Sequence, residues 1–309
     1  MVTNMYHIIV NPASKSGLGY KKWLELETEL KKRNITYVVH FTKHTWDAKK
    51  YTQQLNSTKQ DPLMRILVLG GDGTMNEVLN GVTDFDNTIL TYLPSGSSND
   101  LARNLHLSND SFLALERLVQ TSKSMYMDFG SVQFKGESRR FFVSCGIGFD
   151  ASICEETGRS KLKSLFNHIG MGKLVYAAIG LKQLMFYKKV NCEIQIDQGP
   201  PMKFNNILFA ASMIHRYEGG GAMFCPNADF HDGLIDVCLV QSSNLFKTLR
   251  LFPLAFTGKH IGSKEVHQFR GKEIIIKTSS NMWVHTDGEV LGKTHKLAIR
   301  CHQDKLYYQ

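Results

Sequence analysis

One stretch constrains this 309-residue chain more than any other: Leu67-Val68-Leu69-Gly70-Gly71-Asp72-Gly73-Thr74-Met75-Asn76-Glu77. An apolar, strand-like run stops at two glycines, an aspartate stands between glycines, and residues able to start a helix follow. In open sheets of parallel strands, ligands bind at the carboxyl ends of the strands. Glycine lets backbone approach phosphate oxygens, and a helix start offers free N–H groups with a favourable dipole. Asp72 would repel bare phosphate, so a divalent cation or a reacting hydroxyl belongs beside it. A capped tight turn needs fewer glycines, which weighs toward a functional loop.

The layout recurs. Leu93-Pro94-Ser95-Gly96-Ser97-Ser98-Asn99-Asp100-Leu101-Ala102-Arg103 again runs from a strand end through a small turn to a helix carrying an acid. Ser97 and Ser98 offer hydroxyls to phosphate, and Asp100 offers a second carboxylate. Asn11-Pro12-Ala13-Ser14-Lys15-Ser16-Gly17 follows the first strand, where a phosphate contact and an ordinary loop are equally good readings. Strand candidates Tyr6–Val10, Ile35–Phe41, Arg65–Leu69 and Thr88–Leu93 alternate with amphipathic helices. These carry Trp23, Leu26 and Leu30, then Ala48, Tyr51 and Leu55 behind the N-cap candidate Asp47, then Phe112, Leu115 and Val119 after Asp110. Such alternation predicts an α/β domain with a parallel sheet. No Walker A pattern occurs.

Near Met125 the texture changes. Val190, Cys192, Ile194 and Ile196 alternate with polar residues, and Phe204–Ala211, Leu234–Val240, Lys272–Lys277 and Lys296–Arg300 add strands. An antiparallel β domain follows, with helix candidates at Lys173–Tyr187 and Leu245–Phe256. The apolar stretch Leu174–Tyr187 reads as core ahead of an acyl-chain groove. Asn227–Asp236 is either a hairpin or a metal loop, and His285-Thr286-Asp287-Gly288-Glu289 is a hairpin on its Asp-Gly pair. Gly146-Ile147-Gly148-Phe149-Asp150-Ala151 imitates a dinucleotide fingerprint but lies outside the α/β region, and reads as a decoy.

Hydrophobic residues make up 42% and charged residues 21%, the balance of a globular protein with a core. No apolar run approaches the about 20 residues of a membrane span, and the first residues lack a signal-peptide pattern. The six cysteines form no Cys-x-x-Cys pair, which predicts buried free thiols and a reducing cytoplasm. A net charge of +9 suggests an acidic partner, but scattered Lys and Arg do not choose among nucleic acid, anionic membrane and polyphosphate.

Taken together, Asn11-Pro12, Gly70–Asn80, Pro94–Arg103, Met127-Asp128-Phe129-Gly130, Gly146–Ala151, Asp232-Gly233 and Asp287-Gly288-Glu289 resemble the diacylglycerol kinase catalytic family, relatives of sphingosine and ceramide kinases. The Gly-Gly-Asp-Gly-Thr element alone is shared with NAD kinases and phosphofructokinases; the ordered later matches favour lipid kinases. The resemblance implies an α/β nucleotide domain over residues 1–125, a β-sandwich lipid-substrate domain over 126–292, and a segment 293–309 returning to the first. It implies ATP held by Asn11, Pro12, Ala13, Ser14, Lys15, Thr42, Gly70, Gly71, Asp72, Gly73, Thr74, Met75, Asn76 and Ser97. Catalytic Mg²⁺ would sit with Asp72, Asp100 and Asp128, and a structural Mg²⁺ with Asp229, Asp232 and the Leu234 carbonyl. Glu289 matches the general base, with Asp72 and Asp287 as the further catalytic carboxylates. Ser97-Ser98 stand where Thr-Thr or Thr-Gly is common, and Ser144-Cys145 where Asn is usual. The expected activity is ATP-dependent phosphorylation of a lipid, diacylglycerol first, at the inner face of the membrane. Nucleic acid is not an expected partner, and a homodimer is left open. Rival readings are an NAD kinase-like enzyme and a non-catalytic nucleotide- or lipid-binding regulator.

Overall fold

A computed structural model describes residues 5–58, 63–120, 125–159, 184, 187–242, 244–302 and 304–309. The first part alternates strand and helix: β1 (Tyr6–Val10), α1 (Ser14–Lys32), β2 (Tyr37–Phe41), α2 (Asp47–Thr58), β3 (Met64–Gly70), α3 (Asp72–Gly81), β4 (Thr88–Pro94), α4 (Asp100–Asn104), α5 (Ser111–Val119) and β5 (Met125–Met127). Strands β1 to β4 are parallel, in the order β2-β1-β3-β4. Every residue of β1, β3 and β4 is buried. The reason is two covered faces. Trp23, Leu26 and Leu30 of α1 and Leu115 and Leu118 of α5 pack on Ile8, Val10, Leu67 and Leu69. Ala48 of α2 and Val78 and Leu79 of α3 pack on Ile9, Ile66 and Val68 of the opposite face. The strand order reverses between β1 and β3, which opens a crevice at their carboxyl ends.

One local expectation changes. Asp47 does not cap its own helix; its carboxylate accepts the Lys43 and His44 N–H groups upstream. The Ala48 N–H at the start of α2 is instead accepted by Glu77 of α3. Asp110 does cap α5, accepting from Phe112 and Leu113.

The second part holds β6 (Gly130–Phe134), β7 (Glu137–Phe141), β8 (Ser144–Gly148), α6 (Phe149–Arg159), β9 (Val190–Ile196), β10 (Met202–Met213), β11 (Ile235–Gln241), α7 (Leu245–Ala255), β12 (Val266–Gly271), β13 (Glu273–Thr286), β14 (Glu289–Cys301) and, last in the chain, β15 (Leu306–Tyr308). All strands but β15 form one antiparallel sheet in the order β12-β11-β10-β8-β13-β14-β6-β7, with β9 bridging β10 and β13. Its core includes Ile147, Ile194, Val237, Ile276 and Leu297.

The chain returns to the first sheet later than residue 293. Residues 296–300 pair with 273–277 in the β sheet, and only β15 inserts between β4 and β5. Met125–Met127 likewise belongs to the first sheet, so the crossover lies beyond residue 125. The helix candidate Lys173–Tyr187 and its proposed groove lie outside the described residues, Leu184 and Tyr187 excepted. Five of the six free cysteines are buried, and Cys154 is half-buried. No helix among the described residues is long and apolar enough to cross a membrane.

Candidate active site

Parallel pairing of β1, β3 and β4 brings the loops after them to one edge. Their fit is close. The Ser95 N–H bonds the Gly70 carbonyl at 2.7 Å, and the Ser14 and Ser95 hydroxyls meet at 2.6 Å. The Asn11 amide donates to Thr74 Oγ1 at 3.1 Å. A Cβ on Gly96 would stand 2.6 Å from the Gly71 Cα. Glycine is needed here for proximity, and backbone from two loops stays within reach of one ligand. After β1, Lys15, Ser16 and Gly17 take left-handed backbone, which turns the exposed Lys15 outward before the rest of α1. The Thr42 N–H bonds the Val10 carbonyl, setting Thr42 beside the first loop. Ser97 is exposed at the same edge, whereas Ser98 is committed to Asp100 at 2.8 Å. The Met75 side chain lies in the core and leaves only its backbone to the site.

Asp72 caps α4 from outside, accepting the Asp100 N–H at 3.0 Å and the Leu101 N–H at 3.2 Å. Burial and the neighbouring Asp100 push its carboxyl up to about 7. Asp100 accepts from Ser98 and the Gly220 N–H and has Arg103 Nε at 3.8 Å. Two acids this close suit a cation between or beside them. Asp128 is elsewhere: it accepts the Gly233 N–H at 2.7 Å, in the 229–234 loop. There Asp232 accepts the Leu234 N–H and pairs with the Arg270 guanidinium, which also reaches Asp236. Arg270 thus supplies the positive charge that a structural cation would bring. Among the described residues no three His, Cys, Asp or Glu side chains are arranged to hold a metal.

The β domain contributes the turn between β13 and β14. Asp287 and Gly288 both have positive φ, 49° and 83°, as a two-residue Asp-Gly hairpin requires. The Asp287 carboxylate accepts the N–H groups of Phe142, Val143 and Ser144 and the Asn76 amide. With its lone pairs so committed, Asp287 anchors the turn and ties it to α3; it is not free to move a proton. Glu289 follows, and its Oε1 lies 2.9 Å from where a Cβ on Gly73 would be. Burial and Glu77 push Glu289 up to about 7, with Arg139 acting against them.

Behind this turn sits a group that no spacing announced. His285 Nε2 is 3.2 Å from both Asp150 Oδ2 and Glu218 Oε1, and Glu218 also accepts the Ser144 hydroxyl at 2.6 Å. Burial disfavours charge on His285, while Glu218 and Asp150 pull the imidazole the other way. The Gly288 N–H, 3.1 Å from His285 Nδ1, opposes a second ring proton, so the hydrogen bond favours the neutral ring with Nε2–H toward the acids. The first glycine of the apparent fingerprint makes room for this group: a Cβ on Gly146 would lie 2.0 Å from Asp150 and 2.3 Å from His285. Glu218 leads into Gly219–Gly221, whose Gly220 reaches Asp100. Asn104 holds the preceding residues through the Arg216 and Tyr217 N–H groups.

A glycine-loop edge on a parallel sheet, faced by an elevated carboxyl from a β domain, defines a phosphotransferase working between two domains. Residues 5–132 match the diacylglycerol kinase catalytic domain, and residues 143–303 match the YegS C-terminal NAD kinase beta sandwich-like domain. The chain belongs to the diacylglycerol kinase catalytic family, and it is an ATP-dependent lipid kinase. It is 28% identical to the Bacillus subtilis (strain 168) protein YtlR, covering 94% of each. It is 26% identical to a diacylglycerol kinase of the same organism, over 92% of this chain and 89% of that one. A solved diacylglycerol kinase from Bacillus anthracis str. Sterne shares the fold, with TM-score 0.68 and 21% identity over 99% of this chain and 97% of that one.

Proposed function

We propose that the chain transfers the γ-phosphoryl group of ATP to the free hydroxyl of diacylglycerol, giving phosphatidic acid at the inner face of an anionic membrane. The observation that carries this reading is the Glu289 carboxylate set against Gly73. An acid from one domain overlies the phosphate-type loop of the other, the relation that an in-line transfer needs. The ATP phosphates fit along Asn11–Lys15, Gly70–Asn76 and Ser97. Glu289 accepts the lipid hydroxyl proton while that oxygen attacks the γ-phosphorus and ADP leaves. A carboxyl raised to about 7 suits this task near neutral pH. Asp72 and Asp100 are the residues that would hold Mg²⁺, and their mutual repulsion without it supports that assignment. Bound there, Mg²⁺ supplies neutralising charge to the phosphates. The choice of diacylglycerol rests on relatives named diacylglycerol kinase. A net charge of +9 favours an anionic surface.

The test is transfer of labelled γ-phosphate across diacylglycerol, monoacylglycerol, phosphatidylglycerol, a sphingoid base and NAD. Diacylglycerol should be labelled best. Labelling of NAD alone would make the chain an NAD kinase, and nucleotide binding without transfer would make it a regulator.

A further inference from the structure

Helix α7 presents an unusual outer face. Its inner side buries Thr248, Leu251 and Ala255, as an amphipathic helix should. Outside, Phe246 is 79% exposed and Phe256, just past the last turn, is 55% exposed. Phe252, between them at 38%, turns inward and packs edge-on against buried Phe149. Isolated exposed apolar residues need no explanation, but two largely exposed phenylalanines at the ends of one short helix, with cations beside them, do. Residues 244–259 hold three cations, Lys247, Arg250 and Lys259, and no acid. Lys247 is met by Glu265 of the neighbouring segment at 3.1 Å.

The helix is fastened to the site. The Met223 N–H bonds the Ala255 carbonyl at 2.9 Å, and His260 Nε2 lies 3.1 Å from the Phe224 carbonyl. Three residues before Met223 is Gly220, whose N–H bonds the Asp100 carboxylate. The phenylalanine face and the candidate acidic pair are therefore joined by one short run of ordered backbone.

We infer that the outer face of α7 is the surface by which this kinase docks on an anionic bilayer, with Phe246 and Phe256 entering the interface and Arg250 and Lys259 meeting the headgroups. A helix with aromatic residues on one side and cations beside them suits an interfacial position. A second copy of this chain is a poorer occupant, because a two-fold contact would set this basic face against itself. The inference rests on the lipid-acceptor reading only for its purpose; binding itself is measured without turnover.

The experiment compares wild type, Phe246→Ser/Phe256→Ser and Arg250→Glu/Lys259→Glu. Flotation uses phosphatidylcholine vesicles with and without phosphatidylglycerol. Wild type should float with the anionic vesicles. Each double variant should bind them at least about tenfold more weakly, with melting temperature kept near wild type. Phosphorylation of diacylglycerol embedded in the vesicles should fall in parallel, while a short-chain diacylglycerol dissolved as monomer is still phosphorylated at the wild-type rate. Vesicle binding unchanged in both variants would overturn the inference. So would a wild-type dimer in solution that Phe246→Ser/Phe256→Ser converts to monomer without loss of vesicle binding. Failure of wild type to phosphorylate any lipid, with vesicle binding still lost in the variants, would leave the surface standing and remove the acceptor reading instead.

Discussion

Gly73 is the place where Glu289 meets the nucleotide-type loop: a side chain on Gly73 would begin 2.9 Å from Glu289 Oε1. One residue comes from the parallel-sheet domain and the other from a hairpin more than two hundred positions later. Their meeting depends on Asp287, whose carboxylate gathers three backbone N–H groups and the Asn76 amide.

Asp287→Asn tests that dependence. The amide nitrogen cannot accept, so two of the four donors lose their partner, and unmatched buried donors cost about 1–3 kcal/mol each. Urea denaturation should show a loss of about 2–6 kcal/mol. If Asp287 were a proton carrier instead, stability would hold while turnover fell.

Gly96→Ala tests the contact between the two glycine loops. Gly96 has ordinary backbone angles, so any effect comes from the new Cβ, 2.6 Å from the Gly71 Cα and 2.8 Å from Asn99 Oδ1. Overpacking of this kind costs about 1–3 kcal/mol. ATP affinity measured by calorimetry should fall about tenfold or more. Unchanged affinity would separate these loops from the nucleotide.

How much of this was readable from the chain follows from where the partners lie. The loops at Gly70–Asp72 and Gly96–Asp100 announce themselves because each needs small residues within a few positions. The Asp-Gly turn at 287–288 is equally local. The work of Asp287 is not, because its acceptor sites face backbone N–H groups at 142–144, and backbone carries no residue signature. The resemblance groups Asp128 with Asp72 and Asp100, yet the Phe230–Gly233 loop, not Asp72, comes to it. His285, Glu218 and Asp150 are scattered along the chain, so no spacing links them. The strand pattern puts Lys296–Arg300 in the β domain, where it pairs with Glu273–Lys277; the 293–309 boundary taken from the resemblance is what the pairing moves.

Arg270 makes a separate claim about the 229–234 loop. If its guanidinium neutralises Asp232 and Asp236, a chelator should leave the melting temperature of the nucleotide-free protein unchanged. Arg270→Ala should lower it modestly, since a partly exposed pair contributes about 0–1 kcal/mol. A clear fall with chelator in wild type would restore a structural cation there.

The elevated carboxyl of Glu289 predicts a stability effect of opposite sign. Its folded value of about 7 lies above the ordinary 4.5, so the folded state holds the proton more tightly. That contribution is fully present below 4.5 and is lost as pH rises through about 7. Glu289→Gln does not titrate, so its melting temperature should exceed wild type at pH 8, on the order of 2 °C or more. The gap should narrow as pH falls toward 4.5. Equal pH dependence in the two proteins would place the Glu289 carboxyl in ordinary solvent.

The most direct test is kcat against pH for phosphoryl transfer to diacylglycerol, in wild type and Glu289→Gln, alongside ATP affinity. Wild type should lose activity as pH falls through about 7, because the base becomes protonated. Glu289→Gln should bind ATP within a small factor of wild type, lose about 10²–10⁴-fold in kcat, and no longer show that acid limb. A Glu289→Gln enzyme with near-normal kcat and the wild-type pH profile would contradict the account and move the proton to Asp72.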